Sequence, residues 1–151
     1  MTRLGLLLLC LFLCAESAFS QNKVYRSVPN ETLEKILQGM ELKYQKDERK
    51  NKDSTVLFFE FQRGDQSYRL YNYGNDLWIE STFDKKAKLE EVNRWNAEAK
   101  FSRLVLIEQK DKTVLSLESQ LDALGGVTDG VIRQFINRFD EEAKKFSKFM
   151  K

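Results

Sequence analysis

Catalytic material in this chain is restricted to carboxylates, lysines and tyrosines. The sequence has no histidine, and both of its cysteines, Cys10 and Cys14, fall within residues 1–20, a segment read below as cleaved. Ser-His-Asp and Cys-His nucleophilic chemistry, thiol redox chemistry and nearly every zinc site are thereby excluded from the remainder, since each needs an imidazole or a thiolate. Gly125-Gly126 runs into Val127-Thr128 and lacks the spaced glycines and the lysine of a phosphate loop. The carboxylates worth weighing are Glu60, Glu80, Glu118 and Asp122. A pair of them about 5 to 9 Å apart would have the separation of a glycosidase acid and base, and a carboxylate-based hydrolase is the enzymatic alternative. Against it stands Arg69, which strand pairing sets between Glu60 and Glu80; a cation lowers the pKa that a general acid needs raised. The reading is therefore non-enzymatic, with no catalytic residue, cofactor or metal ligand assigned.

What must position these groups is strand pairing, and the alternation of the sequence is regular enough to derive it. Residues 56–62 and 67–73 flank Arg63-Gly64-Asp65-Gln66, a connection whose Gly and Asp suit a hairpin. With Gln62 opposite Ser67, Phe61 meets Tyr68, Phe59 meets Leu70, Glu60 meets Arg69 and Phe58 meets Tyr71. A second turn at Gly74-Asn75 brings residues 76–83 alongside, setting Leu70 beside Ile79, Arg69 beside Glu80 and Tyr71 beside Trp78. Successive side chains alternate faces, so Leu57, Phe59, Phe61, Tyr68, Leu70, Leu77, Ile79 and Phe83 make the core face.

The reverse face carries a charged row, Glu60-Arg69-Glu80, and an aromatic row, Phe58-Tyr71-Trp78. Such cross-strand pairs contribute roughly 0.2 to 1 kcal/mol each, and a slip of one residue would misplace both rows. Phe58, Tyr71 and Trp78 form the candidate partner surface if the helices cover only the aliphatic face; if the last helix wraps over the row, it is a second layer of core. A final hairpin joined by Gln109-Lys110-Asp111-Lys112 sets Leu106 opposite Leu115, Leu104 opposite Leu117 and Arg103 opposite Glu118.

Three helices complete the set. Pro29, the single proline, opens the first, with Leu33, Ile36, Leu37 and Met40 spaced along one face. A short strand near residues 42–45 and a solvated charged loop over residues 46–54 follow. Leu89, Val92, Trp95 and Ala99 make the stripe of the second helix, with Trp95 as its core anchor. Asn93 and Asn96 flank it; asparagine lowers helix propensity, and hydrogen bonding to a neighbouring loop explains it better than ligand binding. Gly125 and Gly126 supply positive-φ freedom for a sharp turn, and Thr128 caps the last helix. Ile132, Phe135, Ile136, Phe139, Ala143, Phe146 and Met150 form that helix's apolar stripe. Trp95, Asn96, Gly125, Gly126 and Thr128 are thus assigned structural roles.

The chain opens with an address. Arg3 followed by the apolar run 4–13 and by Ala18-Phe19-Ser20 reads as a secretory signal peptide over residues 1–20, cleaved after Ser20. The apolar run is shorter than the roughly 20 residues a spanning helix needs, so no integral membrane span is expected. Lipidation at Cys14 is the rival reading, but Leu13 is not the small residue expected before a lipidated cysteine. Residues 21–28 are polar and aperiodic and read as a flexible leader. Arg3 and Glu16 are the only charges removed, so the remainder keeps the formal charge of +2. A nucleic-acid binder usually shows a strong basic stripe instead. Asn30-Glu31-Thr32 is a glycosylation sequon, relevant only in a glycosylating host.

Val92-Asn93-Arg94-Trp95-Asn96, then Phe101-Ser102-Arg103-Leu104, then Leu124-Gly125-Gly126-Val127-Thr128 resemble the YbjN family of bacterial proteins, described as sensory transduction regulators. The resemblance covers most of the chain beyond the signal peptide, about from Asn30 to Phe149, and rests on structural rather than catalytic motifs. It implies an α+β fold similar to type III secretion chaperones, and often a dimer. This agrees with the derived α+β order α-β-β-β(-β)-α-β-β-α, an antiparallel sheet of five to six strands with three helices in a single domain over residues 29–151. The function expected is that of an exported, periplasmic or secreted interaction module, homodimeric and chaperone-like or accessory to envelope signalling, whose partner is an envelope or secreted protein. A small-molecule or lipid carrier is the third alternative and would require an enclosed apolar cavity.

Overall fold

The hairpin arithmetic is realised in the three-dimensional structure, a computed structural model that describes residues 23–50, 55–84, 86–108 and 113–150. Helix α1 (Asn30–Gln38) precedes four strands, β1 (Tyr44–Lys50), β2 (Thr55–Arg63), β3 (Gln66–Asn72) and β4 (Asp76–Phe83). Helix α2 (Leu89–Glu98), strands β5 (Arg103–Glu108) and β6 (Thr113–Asp122), and helix α3 (Asp129–Phe149) follow. All six strands form one sheet in the order β1-β2-β3-β4-β6-β5, every pair antiparallel. Phe61 faces Tyr68, Phe59 faces Leu70, Glu60 faces Arg69 and Phe58 faces Tyr71. Leu70 lies beside Ile79 and Tyr71 beside Trp78. In the last hairpin Leu106 meets Leu115 and Arg103 meets Glu118, while its connection, residues 109–112, lies outside the described residues. The segment 1–20 also lies outside them.

The aliphatic face is the core. Phe59, Leu70, Leu77, Ile79, Leu115 and Leu117 are fully buried beneath Leu33, Ile36 and Leu37 of α1 and Ile132, Ile136, Phe139 and Phe146 of α3. Thr128 caps α3 by accepting a hydrogen bond from the Val131 amide at 3.4 Å, as its position before an apolar stripe implies.

Three expectations are corrected. The charged run taken for a loop supplies β1: Tyr44–Lys50 pairs in full register with β2, and Lys46 reaches Glu34 of α1 at 2.8 Å. Solvated charged side chains do not oppose a backbone ladder, and on an edge strand they discourage pairing with another chain. The leader is docked at Tyr25 and Val28. Tyr25 exchanges backbone hydrogen bonds with Val127 at 2.7 and 2.9 Å and is buried, and the Val28 amide donates to the Gly74 carbonyl at 2.9 Å. Two apolar side chains, Tyr25 and Val28, carry this docking, too few to show a period. Leu89 is exposed rather than part of the α2 stripe. It starts a helix whose N-terminus is closed by the Lys88 amide donating to the Glu91 carboxylate at 2.8 Å, and only Val92 and Trp95 are buried.

Candidate functional site: the open face of the sheet

The helices pack on the aliphatic face, and the reverse face carries no helix among the described residues. β4 joins the first meander to the second hairpin by pairing with β6, Glu80 opposite Glu118 and Trp78 opposite Gln120. The charged row derived for three strands therefore extends across five: Glu60, Arg69, Glu80, Glu118, Arg103. Arg69 Nε donates to Glu60 Oε1 at 2.7 Å, and its Nη1 lies 3.2 Å from Glu80 Oε1. The Tyr71 hydroxyl donates to the same Glu80 oxygen at 2.9 Å. At the far end Arg103 Nε donates to Glu118 Oε2 at 3.2 Å.

Glu118 is buried, and that burial raises its carboxyl pKa above the ordinary range in spite of Arg103, with the Glu80 charge pushing the same way. Asp122, the fourth carboxylate weighed, accepts the Leu124 amide at 2.7 Å and holds the turn before α3. All four candidates thus have structural partners.

The aromatic row behaves differently from either expected outcome. Although no helix covers it, Phe58 and Tyr71 are buried and form a small second cluster with Val56, against which the partly buried Trp78 packs. Phe58 and Tyr71 have ring centroids 5.3 Å apart, Tyr73 stacks on Tyr71 at 6.3 Å, and the Arg69 guanidinium lies 5.0 Å from the Phe58 centroid. Side chains longer than the strand spacing lean over their neighbours, so an uncovered face buries its own centre. The part left to solvent is Trp78, with Arg103 4.8 Å from its centroid, and Tyr73, which is 51% exposed.

Tyr73 was legible as the second residue after Tyr71 on one face. Arg103 was not, because the β4–β6 pairing has no local signal. Two grooves open on this face. One of about 260 Å³ is lined by Trp78, Phe101, Arg103, Glu118 and Gln120 among others, and one of about 880 Å³ by Lys43, Glu60, Arg69 and Glu80 among others.

The motif residues support this face from behind. Trp95 is buried, edge-on to Phe146 and Phe149 with centroids 5.1 and 5.4 Å away. Its contact is thus with α3 as well as with the strands. Asn96 clamps the edge of the sheet: its Nδ2 donates to the Leu104 carbonyl at 3.0 Å and its Oδ1 accepts the Leu104 amide at 2.7 Å. An asparagine side chain carries the same donor and acceptor as a peptide, so it stands in for one residue of a further strand. Gly126 has φ +96°, a conformation that favours glycine, and a Cβ there would also meet Cγ1 of the exposed Val24 at 2.7 Å. Gly125 has neither constraint, and the positive-φ requirement falls on Gly126 alone. Asn30, the sequon residue, accepts from Asn72 Nδ2 at 2.7 Å at the start of α1.

A single antiparallel sheet with the helices packed on one face defines the class, an α+β protein of one sheet and three helices among the described residues. The chain belongs to the YbjN family, described as "Putative bacterial sensory transduction regulator", whose model matches residues 29–151. Among solved structures it is similar to one titled "Crystal structure of YbjN, a putative transcription regulator from E. coli". That likeness has a TM-score of 0.62 at 14% identity, over 77% of this chain and 86% of the other, and establishes the fold. No curated protein matches. No helix of the described residues is long and apolar enough to cross a membrane.

Proposed function

We propose that this chain is a non-enzymatic regulator that acts by binding protein through the open face of its sheet, in the manner of a chaperone or an accessory to envelope signalling. The observation that carries the reading is Trp78: a half-buried indole under the Arg103 guanidinium, one strand from Tyr71 and the exposed Tyr73 stacked on it, on a sheet face without helical cover. Aromatic side chains and arginines are enriched where protein surfaces bind, because they bury much area for little lost rotamer freedom. The hydrolase alternative is disfavoured because Glu60 and Glu80 share Arg69. A carrier is disfavoured because both grooves have charged and polar walls. Trp78→Ala is expected to lose the proteins that the purified chain captures from an envelope fraction, read by mass spectrometry, while its unfolding midpoint stays within a few degrees of the parent. Unchanged capture would refute the surface.

The same reading includes export. Arg3, the apolar run and Ala18-Phe19-Ser20 support cleavage after Ser20 and a periplasmic or secreted location. The intact mass of the processed protein is expected to correspond to a chain starting at Gln21 without lipid. An acyl mass on Cys14, or an uncleaved N-terminus, would defeat it.

A further inference from the structure

The row Glu60, Arg69, Glu80, Glu118, Arg103 has a property that is visible only once the strand order is known. Read from β2 to β5 its signs run minus, plus, minus, minus, plus. If two such faces stack with a two-fold axis along the strands, each strand lies over the strand equally far on the other side of the axis. With the axis on β4, Glu60 faces Arg103 of a second copy and Arg69 lies over the row position of its buried Glu118, each twice, and the single like-charge contact is Glu80 on itself. An axis between β4 and β6 would set Glu80 against Glu118 and Arg69 against Arg103, all repulsive. An axis on β3 would set Arg69 on itself and Glu60 against Glu80. An axis between β3 and β4 would gain Arg69 against Glu80 but oppose Glu60 and Glu118, and an axis on β6 would gain Glu80 against Arg103 but set Glu118 on itself and leave Glu60 and Arg69 beyond the overlap. One placement is therefore strongly self-complementary.

The apolar groups agree with it. Trp78, half-buried on β4, would stack on its own copy at the axis, and Thr82, also on β4, would do so two rows away. The overlap spans five strands, roughly 24 Å at about 4.8 Å a strand, with sheets about 10 Å apart. Such a contact is isologous, as closed two-fold dimers are. Complementary charge selects the register of a contact more than it adds affinity.

Resting on the reading of the open face as a protein-binding surface, we infer that its occupant is a second copy of this chain, packed face to face about a two-fold axis on β4, with Glu60 against the Arg103 of the other copy.

The test uses charge reversal on the processed chain. Glu60→Arg alone and Arg103→Glu alone each bring like charges together twice, and each is expected to sediment as monomer at concentrations where the parent is dimer. Mixed one to one, the two variants restore opposite charge at both contacts, and the heterodimer is expected to form within about threefold of the parent affinity. A merely structural effect of either substitution would not be cured by mixing. A parent that stays monomeric at millimolar concentration, or variants that remain dimeric alone, overturns the inference; so does a mixture of two folded variants that stays monomeric. If circular dichroism shows that Arg103→Glu does not fold, a spin label at Thr82→Cys, the single cysteine of the processed chain, decides instead. Labels on the axis should lie within about 20 Å, twice the sheet separation, and a longer distance or none overturns the placement. Should the dimer fail while Trp78→Ala still loses captured proteins, the face binds a different protein and the proposed function stands.

Discussion

Trp95→Ala is expected to lower unfolding free energy by about 3 to 5 kcal/mol, the range for truncating large buried aromatics. Helix α2 is ten residues long and commits only two buried side chains, Val92 and Trp95, to the core. The indole packs edge-on to Phe146 and Phe149, and the Arg94 guanidinium covers Phe149 with 4.5 Å to its centroid. Removing the ring opens a void between α2 and α3 and loosens the platform from which Asn96 holds Leu104. Trp95→Phe separates shape from chemistry. The indole N–H is buried and meets no hydrogen-bond partner among the described residues, a state that itself costs about 1 to 3 kcal/mol. Phenylalanine removes that cost along with some volume, so a net change below about 1.5 kcal/mol is expected. Denaturant unfolding of the three proteins decides. A loss under about 1 kcal/mol for Trp95→Ala would mean that the ring does not anchor α2.

Asp140→Asn is expected to cost about 2 to 3 kcal/mol at neutral pH, and to cost progressively less in acid. Asp140 is a buried carboxylate on the apolar side of α3. It accepts the Tyr68 hydroxyl at 2.7 Å and Lys144 Nζ at 2.7 Å, with Arg63 at 3.6 Å. Burial alone would raise its pKa, but the hydrogen bonds from Lys144 and Tyr68 and the Lys144 and Arg63 charges outweigh it and hold the carboxyl below the usual aspartate range. Tyr68, buried and donating to that carboxylate, has its own pKa raised.

The sign follows from the depressed folded value. The folded state binds the proton less readily than the unfolded chain, so the stabilisation is full above the unfolded pKa of about 3.9. It is lost as pH falls through that value toward the lower folded one. Asparagine does not titrate in this window and keeps one acceptor for Tyr68 while losing the charge that holds Lys144 and Arg63. The gap between parent and variant should therefore be constant above about pH 5 and narrow below about pH 4. A gap that stays constant through acid would show that Asp140 is not held as a carboxylate.

Much of this molecule was legible because strand pairing is a local computation. Alternation assigned the faces of residues 56–83, and the two turns, at Gly64 and Gly74, assigned the register, so Phe58, Tyr71 and Trp78 and the ion pairs of Arg69 fell into place without tertiary information. Asn96 was legible as a backbone partner because an amide in mid-helix needs a reason to be there. Where alternation is masked by charge, as in β1, sequence pattern alone reads as a loop, since an edge strand needs no apolar face of its own. Tyr25 and Val28 escape for the opposite reason, two apolar side chains being too few to show a period.

What the sequence by itself determined, then, is the three helices and the strands from β2 onward, the side chains on the two faces of β2 to β4 and the want of imidazole or thiolate chemistry beyond residue 20. Only the tertiary structure decided that β6 inserts between β4 and β5, placing Glu118 opposite Glu80 and Arg103 over Trp78. It likewise decided that Phe58 and Tyr71 are sheltered while Trp78 and Tyr73 face solvent. The physical reason is range. Periodicity and turn chemistry act over a few residues, whereas the β4–β6 contact joins segments separated by a helix and a strand and is set by how α2 and α3 fill the one face both hairpins must share.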